Sequence, residues 1–278
     1  MGLTVNTNVA ALNAYRNVNT ANMSLNSSLE KLSSGFRINR AADDAAGLAI
    51  SEGLKSQIGG LTVAVRNAQD GTSVVQTAEG ALTESQAILQ RMRDLTVQSG
   101  NTGTLDAAGK ADLQAEVTSL NAELDRTASK TTFNNVNLLD GTYAAQSFQV
   151  GYAGGDTIAV TINSGVATKG FNSTDLGTSA VDLTAANTTT DLASIDAAIG
   201  KVSTARAALG ATQNRFNHVV NSANVAIENL TASNSRIRDT DMASEMTKFT
   251  QSQILQQAGT AMLAQANSAP QSILKLLQ

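Results

Sequence analysis

His218 is the only imidazole in the 278-residue chain, and there is no cysteine. A Ser-His-Asp triad would have to be built on that one histidine, and a His-based metal cluster or an H-E-x-x-H protease cannot be built by one chain. The missing thiols remove disulfides, thiolate nucleophiles, iron-sulfur clusters and every cysteine-based zinc site. No partner at a ligand or base spacing supports His218, which reads as a solvated or core-edge side chain. No enzymatic activity, metal or cofactor is expected. Arg37, Arg40, Asp43 and Asp44 concentrate charge where a helix should start, either solvating it or forming ion pairs that fix an angle between elements. Asn187-Thr188-Thr189 fits a glycosylation triplet, a pattern common by chance.

The composition points to a different use for the chain. Charged residues make up 15% and aromatics 3%, with no Trp, against about 25% charged in an ordinary domain. Asn, Gln, Ser, Thr and Ala fill the gap, which leaves few anchors for a globular interior. The 19 Lys+Arg against 23 Asp+Glu give a net charge of -4, so there is no basic excess to neutralise phosphates and nucleic acid is not expected as a partner. No apolar run reaches the roughly 18 residues needed for a bilayer span, and the first residues lack both the basic start and the apolar core of a secretory signal. Membrane insertion is not expected, and any route out of the cell would not use a cleaved signal.

The single proline, Pro270, leaves long helices permitted. Apolar residues recur every seven positions at Ile195, Val202, Leu209, Phe216, Ala223, Leu230 and Ile237, with Ile199, Val220 and Ile227 four residues on. That stripe spans about 65 Å if straight. A matching one runs through Leu54, Leu61, Ala68, Val75, Leu82 and Leu89, with Ile58 and Val65 beside it, and a second set, Ala81, Ile88, Met92 and Leu95, takes over near its end. Gly71 and Gly80 interrupt this helix at about 1 kcal/mol each relative to Ala. Ser99-Gly100-Asn101-Thr102-Gly103 should end it, and Asp106 should open a third helix that buries Leu113, Val117, Leu120 and Leu124.

Short amphipathic helices are expected at the two ends. Leu12, Tyr15, Val18, Leu25, Leu29, Leu32 and Phe36 mark the first, and Met242, Met246, Phe249, Ile254, Ala258, Met262 and Leu263 the second. Between about 133 and 190 the period changes. Phe148, Val150 and Tyr152 alternate, Gly154-Gly155-Asp156 can turn, and Ile158, Val160 and Ile162 alternate on the return, which predicts one β-hairpin, with an extra strand allowed after Asp140-Gly141. Residues 163 to 190 read as loop.

The expected fold is therefore mainly α: a long antiparallel helical bundle or coiled coil from the N- and C-terminal halves, a small β-hairpin region, and terminal helices paired at one end. Two domains are expected, 1–42 with 237–278 as a terminal helical pair, and 43–236 as a long-helix bundle carrying the hairpin region. The apolar faces of the terminal pair would be costly on a lone monomer, so they should be disordered alone or buried against other copies of the chain.

Leu29-Glu30-Lys31-Leu32-Ser33-Ser34-Gly35-Phe36-Arg37-Ile38-Asn39, then Ala42-Asp43-Asp44-Ala45-Ala46-Gly47-Leu48-Ala49-Ile50, resembles the N-terminal signature of bacterial flagellin. Arg236-Ile237-Arg238-Asp239-Thr240-Asp241-Met242-Ala243-Ser244-Glu245 and the ending Ile273-Leu274-Lys275-Leu276-Leu277 are similar to that family's other end. The resemblance covers nearly the whole chain, in a short form without the variable outer domains of longer flagellins. It implies a structural subunit that self-assembles into the flagellar filament for swimming motility, secreted through the flagellar type III export apparatus to an extracellular helical polymer. A flagellin-like hook-filament junction protein is the alternative. The implied partners are other copies of the chain, an export chaperone, and cap and hook-filament junction proteins. Terminal helices would line the inner tube through Leu12, Leu25, Leu29, Leu32, Met246, Phe249, Met262, Ile273, Leu274 and Leu277. Leu89 to Leu95, with Glu116 on the next helix, resembles the patch detected by the flagellin-sensing Toll-like receptor of a host, which would make Gln90, Arg91, Leu95 and Glu116 the contacts.

Overall fold

The computed structural model describes residues 7–165, 168–185 and 187–276, with side chains described as far as residue 268. Among the described residues, six α-helices and four short strands follow in the order α1 (Val9–Ser34), α2 (Ala45–Ser99), α3 (Ala107–Lys130), β1 (Thr132–Phe133), β2 (Val136–Asn137), β3 (Gln146–Gln149), β4 (Thr157–Val160), α4 (Ser173–Leu176), α5 (Thr188–Arg238) and α6 (Met242–Leu276). The chain forms two compact units, Gln57–Glu228 and Met1–Ser56 with Asn229–Gln278.

In the unit Gln57–Glu228, the heptad stripes meet as the periodicity requires. Leu61, Ala68, Val75, Leu82 and Leu89 of α2 are buried, as are Ile195, Val202, Leu209, Phe216 and Ala223 of α5. The two helices run antiparallel, because Arg93 of α2 pairs with Asp196 near the start of α5, and Glu79 with Arg206 further along. Gly71 has a reason to be there: a Cβ on it would lie 2.6 Å from Cζ of Phe216, whereas one on Gly80 would meet nothing within 4 Å. The third helix, α3, lays Val117, Leu124 and Ala128 on the same core. Asp106 caps it by accepting from the Gly109 amide at 2.7 Å.

Two parts of the β region depart from the sequence reading. The expected hairpin forms, with Phe148 opposite Ile158. The allowed extra strand after Asp140-Gly141 does not. A second hairpin precedes it instead, Thr132–Phe133 against Val136–Asn137, turned by Asn134 and Asn135 at φ 48 and 63. Asparagine is among the few residues that take such angles readily, so this dipeptide supplies the turn.

Residues 163–190, read as loop, are the larger correction. They contain α4 and a 3-10 turn at Thr178–Ala180, and they sink Phe171, Leu176, Val181 and Leu183 into the core. Polar side chains on α3 hold them there. Gln114 donates to the Val181 carbonyl at 3.3 Å and accepts from the Leu183 amide at 2.8 Å. Thr178 and Asn121 exchange bonds at 2.8 and 3.2 Å, and Asp125 accepts from the amide and hydroxyl of Ser173 at 2.7 and 3.0 Å. Backbone polar groups entering a core need such partners, and α3 provides them through Gln114, Asn121 and Asp125.

In the unit Met1–Ser56 with Asn229–Gln278, the terminal helices are long rather than short, 26 and 35 residues. The heptad stripe thins here: Leu230 and Ile237 are only half-buried. Helix α1 is capped by Asn8, whose side chain accepts from the Ala11 amide, and closed by Gly35 at φ 76.

Candidate functional site

The α1/α6 pair inverts the usual division between seam and surface. Its seam is made of small and polar residues: Val18, Ala21 and Ser28 on α1, Glu245 and Ser252 on α6 are buried. Gly259 lets the helices close, because a Cβ there would come within 2.7 Å of Val18 Cγ2. The Ser28 hydroxyl donates to Glu245 at 2.6 Å and Lys248 to its other oxygen at 3.3 Å. The Ser28 bond chiefly holds the Glu245 carboxyl below its ordinary 4.5, with Lys248 and Lys31 adding to the effect against burial, so the seam is ionised at neutral pH. Asn8 ties the far end to the Ala266 carbonyl at 2.8 Å.

With the seam filled by small groups, the large apolar side chains stand outward. Leu12, Tyr15, Met23 and Leu29 on α1 and Met242, Met246, Ile254, Leu255 and Met262 on α6 are exposed, Ile254 to 60%. Single apolar residues are normal on a surface, but these nine large ones exposed on two paired helices mark surface available to a protein-protein contact. Of the residues singled out from sequence, Leu12, Leu29, Met246 and Met262 are exposed, and Leu25, Leu32 and Phe249 are half-buried. The side chains of Ile273 and Leu274 lie outside those described, as does Leu277 altogether.

The chain segments that leave this pair are joined to each other. Phe36 and Asp239 form an antiparallel bridge, with Arg37 N donating to the Arg238 carbonyl at 2.7 Å and Thr240 N to the Gly35 carbonyl at 3.0 Å. The Arg238 guanidinium lies 4.7 Å from the Phe36 ring centre and pairs with Glu52 at 2.7 Å. Arg37 reaches the Ile237 carbonyl at 2.6 Å and Arg40 pairs with Glu30 at 2.8 Å. Asp43 accepts from the Arg40 and Asn39 amides, which hold its carboxyl below the ordinary range. Asp44 caps α2 through the Gly47 amide. Of the four charged residues, Arg40 forms an ion pair and Asp44 caps a helix, while Arg37 and Asp43 bond to backbone groups. The Arg238 stack on Phe36 had no signal in the sequence beyond an arginine at a helix end.

On the other unit, Arg91 pairs with Glu116 at 2.7 Å across α2 and α3, both half-exposed, and Gln90 is exposed beside them. Leu95 is not part of that surface. It is 1% exposed in the core with Leu89 and Met92, as its place in the apolar stripe requires, so it holds the helix that presents Gln90 and Arg91. Among the described residues no three His, Asp or Glu side chains gather as a metal site. His218 is exposed.

The chain matches the bacterial flagellin N-terminal helical region over residues 5–144 and the bacterial flagellin C-terminal helical region over residues 192–277. It is 47% identical to a flagellin of Bacillus subtilis over 99% of both chains, and 44% identical to a flagellar filament 33 kDa core protein of Treponema phagedenis, again over 99% of both. A solved flagellar hook-associated protein of Vibrio parahaemolyticus covers 71% of this chain and all of its own, with a TM-score of 0.58 at 15% identity, and shares the fold alone. No feature favours the junction-protein alternative. The chain belongs to the bacterial flagellin family and is a structural subunit of the flagellar filament, not an enzyme.

Proposed function

We propose that residues 1–42 and 237–278 act as the inner-tube domain of the filament and that residues 43–236 form the surrounding layer. The observation that carries this reading is the exposure of large apolar side chains on α1 and α6 beside a seam filled by small and polar ones. Only other copies of the chain, stacked along a helical polymer, would cover both helices. Leu12, Leu25, Leu29, Leu32, Met246, Phe249 and Met262 are the contacts, continued by Ile273, Leu274 and Leu277. Deleting residues 273–278 removes four large apolar side chains, each worth about 1.5 to 3 kcal/mol when buried. The truncated subunit should fold through residues 57–228 but give no filaments by electron microscopy; filaments of normal length would refute the reading.

The subunit is read as exported to the cell exterior through the flagellar type III apparatus, with a chaperone, cap and hook-filament junction proteins as partners. A chain without Cys and with one Pro has neither disulfides to form nor slow prolyl isomerisation before residue 270 to delay refolding. No described helix is long and apolar enough to cross a membrane.

Gln90, Arg91 and Glu116 are also read as a contact for the flagellin-sensing Toll-like receptor, with Leu95 acting from beneath. An exposed ion pair contributes little to folding, so Arg91 is free to serve a contact through its planar donors, a role Lys fills poorly. Arg91→Ala should reduce receptor signalling by purified monomer about tenfold or more, the usual weight of a central interface arginine, and reduce assembly less. Unaltered signalling would remove the receptor role.

A further inference from the structure

We propose that Met23, Met242, Met246 and Met262 are sulfoxidation sites through which peroxide-class oxidants block assembly of the free subunit. The chain has six methionines, no Cys and no Trp, so its thioethers are the groups a mild two-electron oxidant attacks first. Met1 lies outside the described residues. The other five fall into two classes. Met92 is fully enclosed in the core of residues 57–228, at 0% exposure. The remaining four all stand on α1 or α6, exposed by 66% (Met23), 48% (Met242), 48% (Met246) and 63% (Met262).

Their placement ties the chemistry to the contact surface. Met23 lines, with Leu255, a groove of about 590 Å³ along the α1/α6 seam. Met242 and Met246 are four residues apart on α6 and so share one face. A largely exposed thioether adds little to a monomer, whereas its flexible, polarisable chain fits it for filling an apolar contact. Oxidation reverses that fitness. The sulfur lone pair takes the terminal oxygen of a hydroperoxide, an S–O bond forms as the O–O bond breaks, and the displaced oxygen leaves as water or alcohol after proton transfer. Sulfur loses two electrons and the peroxide gains them. The product is a polar sulfoxide on a surface that must be desolvated, and a dithiol reductant restores the sulfide, giving a disulfide and water. Since the filament covers these side chains, the sensitivity belongs to subunits not yet assembled.

This inference rests on the reading of α1 and α6 as the filament contact, and the test separates the two. Purified full-length subunit is treated with hydrogen peroxide and mapped by peptide mass spectrometry, then assembled onto filament seeds. The four exposed methionines should each gain one oxygen while Met92 gains none, and the critical concentration for assembly should rise about tenfold or more, as loss of one buried apolar side chain per subunit implies. A variant with all four replaced by leucine should assemble alike with and without peroxide. Equal oxidation of Met92, or oxidised subunit that assembles as readily as untreated, overturns the proposal. A variant with all four replaced by glutamine isolates the contact reading: normal assembly of that variant defeats both, whereas impaired assembly beside unimpaired oxidised protein defeats the oxidation proposal alone.

Discussion

Leu12→Asp combined with Ile254→Asp should abolish filament formation while leaving the 57–228 unit as stable as before. Leu12 is 55% exposed and Ile254 60% in the monomer, so neither change removes much buried area there, and surface changes of this kind usually move stability by less than about 0.5 kcal/mol. In the polymer the balance is different. Each side chain is worth about 1.5 to 3 kcal/mol when fully buried, and an unpaired carboxylate at the same place must shed its water or take up a proton. Two such losses per subunit raise the critical concentration by more than about a hundredfold. Sedimentation of seeded reactions and thermal unfolding of the monomer measure the two sides separately. Normal pelleting at normal concentration would mean that α1 and α6 are not the contact, and a lowered unfolding temperature would mean that the exposed faces already serve the monomer.

Much of the fold is legible because it follows from local chemistry. The seven-residue stripes of α2 and α5, the Gly35 cap and the Asp106 cap depend on neighbours within a turn or two, and they stand where their residues put them. What is not legible depends on distant partners. Phe171, Leu176, Val181 and Leu183 sit in a stretch of Ser, Thr, Gly and Asn that looks like loop, and only α3, 48 to 69 residues away along the chain at the bonded pairs, makes it core. The site divides the same way. That α1 and α6 carry more apolar surface than they can cover follows from their residue types, but the filling of their seam by Ser28, Glu245 and Gly259 does not. A helical pattern reports which face is apolar, whereas which face a partner takes depends on how closely two backbones approach. Leu95 is a related case: its family resemblance places it on a surface and its stripe places it in the core, and the stripe prevails because a helix has room for one buried face.

Phe216→Ala should destabilise the 57–228 unit by about 3 to 5 kcal/mol, among the largest single-residue effects expected in its core. The ring is fully buried, stacks edge-on against Phe148 with centroids 5.6 Å apart, and rests on the bare backbone of Gly71. Its removal leaves a cavity between two helices whose other contacts keep them apart. The glycines supply the internal comparison. In an ordinary exposed helix Gly→Ala gains about 1 kcal/mol, and Gly80→Ala should do so because nothing lies within 4 Å of the new methyl. Gly71→Ala should lose stability instead, since its Cβ would press to 2.6 Å on the Phe216 ring, which is itself fully buried in the core. The two substitutions should therefore shift thermal unfolding in opposite directions, and Gly71→Ala should cost less when Phe216 is already Ala, an interaction energy of about 1 kcal/mol or more. If Gly71→Ala and Gly80→Ala raised the unfolding temperature equally, the close approach of α2 and α5 at Phe216 would not exist in solution.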